Sequence, residues 1–358
     1  MSESDPKVAS PAEPIDTPAD VPGWYRFRGD RQPRSFTPLP PPPPWRPFRT
    51  SEVHRSRAIP APDDLPPAMR HKARTFRPAK VVVEMVNAAL YLRRPLLVTG
   101  VPGSGKSSLI DAVAYEIGLG IPLRWSVTSR STLREGLYEY DAVGRLQEQQ
   151  SRSSAGDATD SILPYLRLGP LGTALLPTDV PRALLIDEID KADLDLPNDL
   201  LNVLEEGEFE IRELSRLQQK DSVEVRTGDV GAGSYPIEGG VVRMKEFPFV
   251  VMTSNGERTF PPAFLRRCLQ LQMPDPAQDP DELRLIVEAH LREHLEHDLA
   301  ARADIDGRIQ EFVDRARKGP GSLATDQLLN AIFLVSGRAN VPEGDRDELV
   351  KRVTRTLT

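Results

Sequence analysis

Positions 100 to 107 read Gly-Val-Pro-Gly-Ser-Gly-Lys-Ser, which satisfies G-x-x-x-x-G-K-[ST] at every constrained position. These residue types at this spacing describe a phosphate cradle. Gly100, Gly103 and Gly105 lack a Cβ, so their backbone N–H groups can turn inward around phosphate oxygens, and the helix N-terminus after Gly105 favours negative charge. Val101, Pro102 and Ser104 complete the loop and Ser108 continues it, making residues 100–108 the nucleotide-binding candidate. Lys106 would reach the β/γ-phosphates and Ser107 a Mg²⁺ ion.

A second chemical element is Ala183-Leu-Leu-Ile-Asp187-Glu188-Ile-Asp190, an apolar run that ends in carboxylates. Parallel strands buried on both faces read as continuous apolar runs, and ligands of open α/β sheets lie beyond the strands' carboxyl ends. Asp187 and Glu188 are therefore expected beside the phosphates. Asp187 suits Mg²⁺, and Glu188 suits orienting and deprotonating an attacking water. Phe249-Val-Val-Met-Thr-Ser-Asn255 is a further buried strand with a polar end, where the Asn255 amide could position that water. Arg266 and Arg267 follow in Ala263-Phe-Leu-Arg-Arg-Cys268; arginines at such a place can act on charge developing in a neighbouring subunit's site.

The elements that must hold these residues follow from periodicity. Val81, Val82, Met85, Val86, Ala89 and Leu90 recur at helical spacing and predict an amphipathic helix that stops before Pro95. Strands are expected at 96–99, 122–127, 183–186, 249–253 and 268–273, and the helix after the phosphate loop should end at Gly118. Residues 144–162, rich in Gln and Ser, read as a loop. From Asp279 the pattern becomes helical only. Asp279-Pro280-Asp281-Glu282 is a helix start, followed by an apolar face of Leu283, Ile286, Val287 and Leu291. Further helices are expected near 304–318, 323–337 and 345–356.

Seventeen of the 35 prolines lie in residues 1–70, including Pro40 to Pro44, and no apolar period of 2 or 3.6 survives there. That composition predicts a disordered tail over 1–76 with a polyproline II stretch. Trp24, Tyr25, Phe27, Trp45 and Phe48, set among arginines, would serve either as a docking tail for a partner or as a plain spacer. The expected organisation is a tail at 1–76, an α/β core at 77–276 and an all-helical domain at 277–358.

The net charge is −7, with 14 Lys+Arg against 9 Asp+Glu in residues 1–80 and an acidic remainder. An acidic body argues against a nucleic-acid groove, which needs clustered positive charge. The single cysteine excludes a disulfide framework. No run of about 18 apolar residues exists, and the acidic first 23 residues are the reverse of a signal peptide, so no membrane partner and a cytoplasmic location are expected.

In order along the chain, G100VPGSGKS107, L184LIDEID190, V250VMTSN255, A263FLRRC268 and the helical end resemble an AAA+ ATPase, and within it the MoxR-like branch. G169PLGTALL176 and D195LPNDLLNVLEEGEFEI211 are similar as well. The resemblance implies an α/β fold with a five-stranded parallel core sandwiched by helices, followed by a small all-α lid. It also implies ATP as the substrate with Mg²⁺, and hydrolysis shared between the subunits of a homo-oligomeric ring, commonly hexameric. The ring would remodel a client protein, often with a von Willebrand A-type partner. Carried over residue by residue, Lys106 and Ser107 bind phosphate and Mg²⁺, Asp187 and Glu188 form the second acidic motif, Asn255 is the first sensor, and Arg266 or Arg267 is the trans arginine.

Thr132 to Leu146 and Val223 to Met244 look like that branch's two insertions, which face the ring pore or the substrate; ordinary surface hairpins are the alternative. The chain departs from the family at Ser322-Leu-Ala-Thr325-Asp326-Gln327, where a second-sensor arginine is often found. Slow hydrolysis, or substitution by Arg338 or another subunit, would follow. A low-turnover assembly or signalling module that recruits an effector through the tail, for instance in bacterial defence, is the competing function, and a small-molecule kinase a third.

Two other signals are set aside. His290-Leu-Arg-Glu293-His294 matches H-x-x-E-H without the fold context of a metalloprotease, and reads as histidines on the wet face of a helix. Cys268 beside the arginines reads as a small buried hydrophobe.

Overall fold

The computed structural model describes residues 22–46, 59, 65–152, 162–216, 222–231, 233–295 and 325–335, with isolated positions 307, 309, 310, 314, 348, 349 and 352. Its centre is a five-stranded parallel sheet. In chain order the strands are β1 (Leu96–Thr99), β2 (Leu123–Ser126), β5 (Ala183–Asp187), β10 (Phe249–Ser254) and β11 (Leu269–Gln272), arranged β11-β1-β10-β5-β2. The register aligns Leu97 with Met252 on one side and Gln270 on the other, and Ile186 with Met252.

Helices cover both faces, which explains the unbroken apolar runs. On one face Leu96, Val98, Leu185, Val251 and Leu271 pack in one cluster with α2 (Lys80–Leu92) and α3 (Ser108–Ile117). On the other Leu97, Leu184, Ile186, Val250 and Met252 pack with α6 (Pro170–Ala174) and α7 (Leu196–Glu206). Successive strand residues thus enter opposite cores, and each buried Leu, Ile or Val contributes about 1.5–3 kcal/mol. Gly118 (φ 70°) and Gly207 (φ 70°) close α3 and α7 in the left-handed region that glycine adopts without a Cβ clash.

Residues 132–146 and 223–244 meet in one sheet. β3 (Tyr138–Tyr140) and β4 (Leu166–Leu168) pair with each other, β4 pairs with β7 (Val223–Arg226), and β7 forms a hairpin with β8 (Ser234–Ile237), giving a second sheet of order β3-β4-β7-β8. A short ladder of β6 (Glu208–Glu210) and β9 (Val241–Arg243) lies apart from it. Residues 142–152 form helix α5 rather than the expected loop. Asp141 starts it, accepting from Gly144 N at 2.8 Å, and Leu, Gln and Arg are good helix formers that the polar composition masked.

The tail expectation is corrected over its described part. Residues 22–46 run as an extended belt across the core, with Tyr25 buried and Phe27 1% exposed. Two buried polar side chains dock it. Asn87 on α2 accepts from Arg26 N (2.7 Å) and Phe27 N (3.1 Å) and donates to Phe27 O (2.7 Å). Glu116 on α3 accepts from Arg28 N (2.6 Å), Gly29 N (3.1 Å), Arg31 N (3.1 Å) and Arg34 Nη1 (3.0 Å). A segment without its own period can still be ordered when its backbone groups are satisfied by another element's side chains. Of the five aromatic residues, Trp24 and Trp45 are exposed, Trp45 by 75%, and Phe48 falls outside the described residues. α1 (Pro67–Thr75) follows the belt and packs on α3, so structure begins well before Arg77.

The lid begins with α10 (Pro280–Leu295), capped as expected: Asp279 Oδ1 accepts from Asp281 N at 3.0 Å and Glu282 N at 3.2 Å. Its Leu283 and Val287 pack with Leu328 and Ile332 of α11 (Thr325–Val335). The helices expected at 304–318 and 345–356 fall almost wholly outside the described residues, as does Arg338. Among the described residues no helix is long and apolar enough to cross a membrane.

Candidate nucleotide site

Residues 100–108 turn from β1 into α3, with Gly100 (φ 149°), Gly103 (φ 78°) and Gly105 (φ 84°) in backbone regions that side chains disfavour. Space is also limiting, since a Cβ at Gly100 would lie 3.1 Å from Met273 Cβ and one at Gly105 3.1 Å from Phe76 Cε2. The loop lines a cavity of about 610 Å³, together with Asp187, Glu188, Thr253 and Asn255 from the strand ends. Phe76, Pro78 and Val82 close it on one side, and Ile286, His290 and Leu329 from the lid on another.

The sheet order brings these groups together, because β1, β10 and β5 are neighbours whose carboxyl ends share one edge. Ser107 Oγ donates to Asp187 Oδ1 at 2.8 Å. The Thr253 hydroxyl donates to the same oxygen at 2.5 Å and accepts from Glu188 N at 2.9 Å. Lys106 Nζ donates to Gly100 O (2.7 Å) and Val101 O (2.9 Å). Burial lowers the Lys106 pKa, opposed by the nearby Asp187, Asp190 and Glu188 carboxylates.

Glu188 sits at φ 60°, ψ 46°, a left-handed conformation that costs a non-glycine residue about 1–2 kcal/mol. Such strain persists where surrounding bonds over-determine it. Here the Thr253 hydroxyl holds the Glu188 N–H, Lys191 N donates to Glu188 O at 2.9 Å, and Lys191 Nζ lies 2.7 Å from Glu188 Oε2. Asn255 is placed by the buried Asp190, whose Oδ2 accepts from Asn255 N at 3.0 Å and Glu257 N at 3.1 Å. Ser107, Asp187 and the strand-end hydroxyl form an oxygen-rich corner of the kind a hard divalent cation takes, and the glycine cradle fits phosphate oxygens.

Thr253, Asp190 and Lys191, to which the motifs assign no role, bond directly to Glu188 and Asn255. Their signal was present: a hydroxyl ending an apolar run, and a carboxylate and an amine on the turn after the strand. The two arginines lie elsewhere, on α9 (Pro262–Arg267), and line no part of the cavity of their own chain. Arg267 bonds Asn202 Oδ1 (3.1 Å) and Glu205 Oε2 (3.4 Å), whereas the exposed Arg266 side chain makes no polar contact with the described residues.

His290 is half-buried at the joint between lid and core, not on a wet face. Its Nδ1 is 2.8 Å from Ile286 O, its ring meets His71 edge-on at 6.0 Å, and burial lowers its pKa. Cys268 is buried, which pushes its thiol up to about 12.

The family model of the AAA domain, dynein-related subfamily, matches residues 95–268, the stretch that carries the phosphate loop, the acidic end of β5 and the polar end of β10. Those residues are an AAA domain. No curated protein matches the chain. Among solved structures, the chain is similar to NtrX from Brucella abortus in complex with ADP, at 15% identity and a TM-score of 0.38 over 74% of this chain and 51% of that one. NtrX from the same organism in complex with ATP is similar at 15% identity and a TM-score of 0.33, over 75% and 58%. The chain thus spans little more than half the length of either.

Proposed function

We propose that this AAA domain hydrolyses ATP in a MoxR-like ring. The observation that carries the reading is the Thr253 hydroxyl, which ties Asp187 and Glu188 together at the mouth of the glycine cradle. Backbone N–H groups of residues 103–108 and the Lys106 ammonium bind the phosphates, and Phe76, Pro78 and Ile286, which line the same cavity, are the apolar side chains offered to the base. Ser107 and Asp187 would hold Mg²⁺, whose charge neutralises the phosphate oxygens. Glu188 accepts a proton from the attacking water as its oxygen bonds to the γ-phosphorus and ADP leaves, and Asn255 orients that water. Arg266, rather than the pinned Arg267, is the residue offered to a neighbour's site, which supports a ring.

The joined β3-β4-β7-β8 sheet, with Val230 exposed at the hairpin tip, is the surface proposed for a client protein; a von Willebrand A-type partner is the adaptor. Three measurements test the reading. Lys106→Ala should abolish ATP binding. Arg266→Ala should cut turnover by about 10³-fold while sparing ATP binding. Unchanged turnover at saturating protein would rule out the shared site. Glu188→Gln with ATP should retain client and adaptor in a pull-down even after deletion of residues 1–21; loss on that deletion alone would favour recruitment through the N-terminal segment.

A further inference from the structure

The belt ends beside the arginine helix. Arg46, its last described residue, donates from Nη1 to Arg93 O at 2.8 Å, lies with its guanidinium 5.9 Å over the Phe247 ring, and places Nη2 3.7 Å from Glu205 Oε1. The other oxygen of Glu205 is 3.4 Å from Arg267 Nε, so one carboxylate on α7 is shared between the belt and α9. Arg94, next to the Arg93 that Arg46 holds, donates from Nη1 to Arg266 O at 2.9 Å. Two routes therefore run from Arg46 to the last turn of α9, one through Glu205 to the Arg267 side chain and one through residues 93 and 94 to the Arg266 backbone.

We propose that Arg46 is a positioning residue for the trans arginine, fixing the last turn of α9 so that Arg266 enters the neighbouring subunit's site in a single orientation. The physical argument is geometric. Neighbouring residues of a helix point about 100° apart, so pinning the Arg267 side chain and the Arg266 carbonyl determines where the Arg266 side chain leaves the surface. Electrostatics adds a second reason. The carboxylate of Glu205 is about one-third exposed, and a cation on each oxygen holds it between belt and helix. Without Arg46, Glu205 is free to follow Arg267 into other rotamers and the end of α9 loosens. A displacement of about 1 Å at a reacting group costs on the order of 100-fold in rate, so a loosened arginine should be felt in turnover and not in ATP binding.

The inference rests on the shared-site reading above, and mixed assemblies separate the two. Full-length Lys106→Ala protein donates Arg266 but binds no ATP, and full-length Arg266→Ala protein binds ATP but donates no arginine. The two inactive proteins, mixed, should regain turnover, and failure to do so overturns the shared site and this inference with it. Adding Arg46→Ala to the Lys106→Ala partner should then lower the regained kcat by about 10- to 100-fold with KM for ATP unchanged, and Arg46→Lys should restore much of it. Adding Arg46→Ala to the Arg266→Ala partner should leave the regained activity intact. Equal loss in both arms would mean that Arg46 only supports the fold, and no loss in the first arm would mean that it does not position Arg266; either result overturns the inference alone. Glu205→Gln, which keeps the side-chain volume, must show the same asymmetry.

Discussion

Lys191 Nζ lies 2.7 Å from Glu188 Oε2, so the carboxylate assigned to deprotonating water is already bonded to an ammonium three residues on. The bond raises the Lys191 pKa through the Glu188 hydrogen bond first. It also withdraws one Glu188 oxygen from the water that the proposed hydrolysis would bring to it. Replacing Lys191 with Met should therefore raise kcat, by about two- to fivefold since exposed ion pairs are weak. Steady-state phosphate release checks this, and a lower kcat would show that Lys191 helps to orient Glu188.

Glu188→Gln keeps the shape and the Thr253 bond to the backbone but cannot take a proton. Turnover should fall by about 10²- to 10⁴-fold while titration with a fluorescent ATP analogue shows binding within a few-fold of the parent. Parallel loss of binding and turnover would place Glu188 in phosphate binding instead.

The Thr253 hydroxyl is buried and serves two partners. Thr253→Val removes it with little change in volume, leaving Glu188 N–H and Asp187 Oδ1 each short of a bond, at a cost of about 1–3 kcal/mol. The variant should unfold at lower denaturant and lose about tenfold in kcat, whereas Thr253→Ser should recover both, as chemical denaturation and phosphate release together would show.

Phe27 in the belt is buried to the same degree as Leu97 and Leu185 in the central strands. Phe27→Ala should lower the unfolding free energy by about 3–5 kcal/mol in a denaturant titration, a core-sized effect. A change below about 0.5 kcal/mol, normal for a surface site, would mean that the belt detaches in solution.

Cys268 offers a pH test. Burial raises its thiol from the ordinary 9.0 to about 12. Above pH 9 the unfolded chain loses this proton while the folded one keeps it, so the folded state binds more protons and stability falls as pH rises from about 9 to about 12. Cys268→Ala should flatten that part of the stability curve relative to the parent. Alkylation at pH 8 should also be slow in the native protein and fast once it is unfolded.

Much of the site was legible in the sequence for a physical reason: residues 100–107 and 183–188 obey constraints that act within a few residues. A cradle of backbone N–H groups needs Gly100, Gly103 and Gly105 where they stand, and a strand buried on both faces must be apolar until it reaches the ligand edge at Asp187. The lid's first helix was legible likewise, since Asp279 caps it locally. Residues 144–152 read as loop from their polarity, yet helix propensity and the Asp141 cap make them part of α5.

What tertiary structure alone decided depends on residues far apart in the chain. That Thr253 bridges Asp187 and Glu188 follows from β10 lying beside β5, a pairing of residues 66 apart in the chain, such as Phe249 with Ala183. That residues 22–46 are a belt follows from Asn87 and Glu116, whose buried side chains supply the hydrogen bonds that a proline-rich segment cannot make to itself. And of two adjacent arginines identical in type, only packing against Asn202 and Glu205 distinguishes the pinned Arg267 from the outward Arg266.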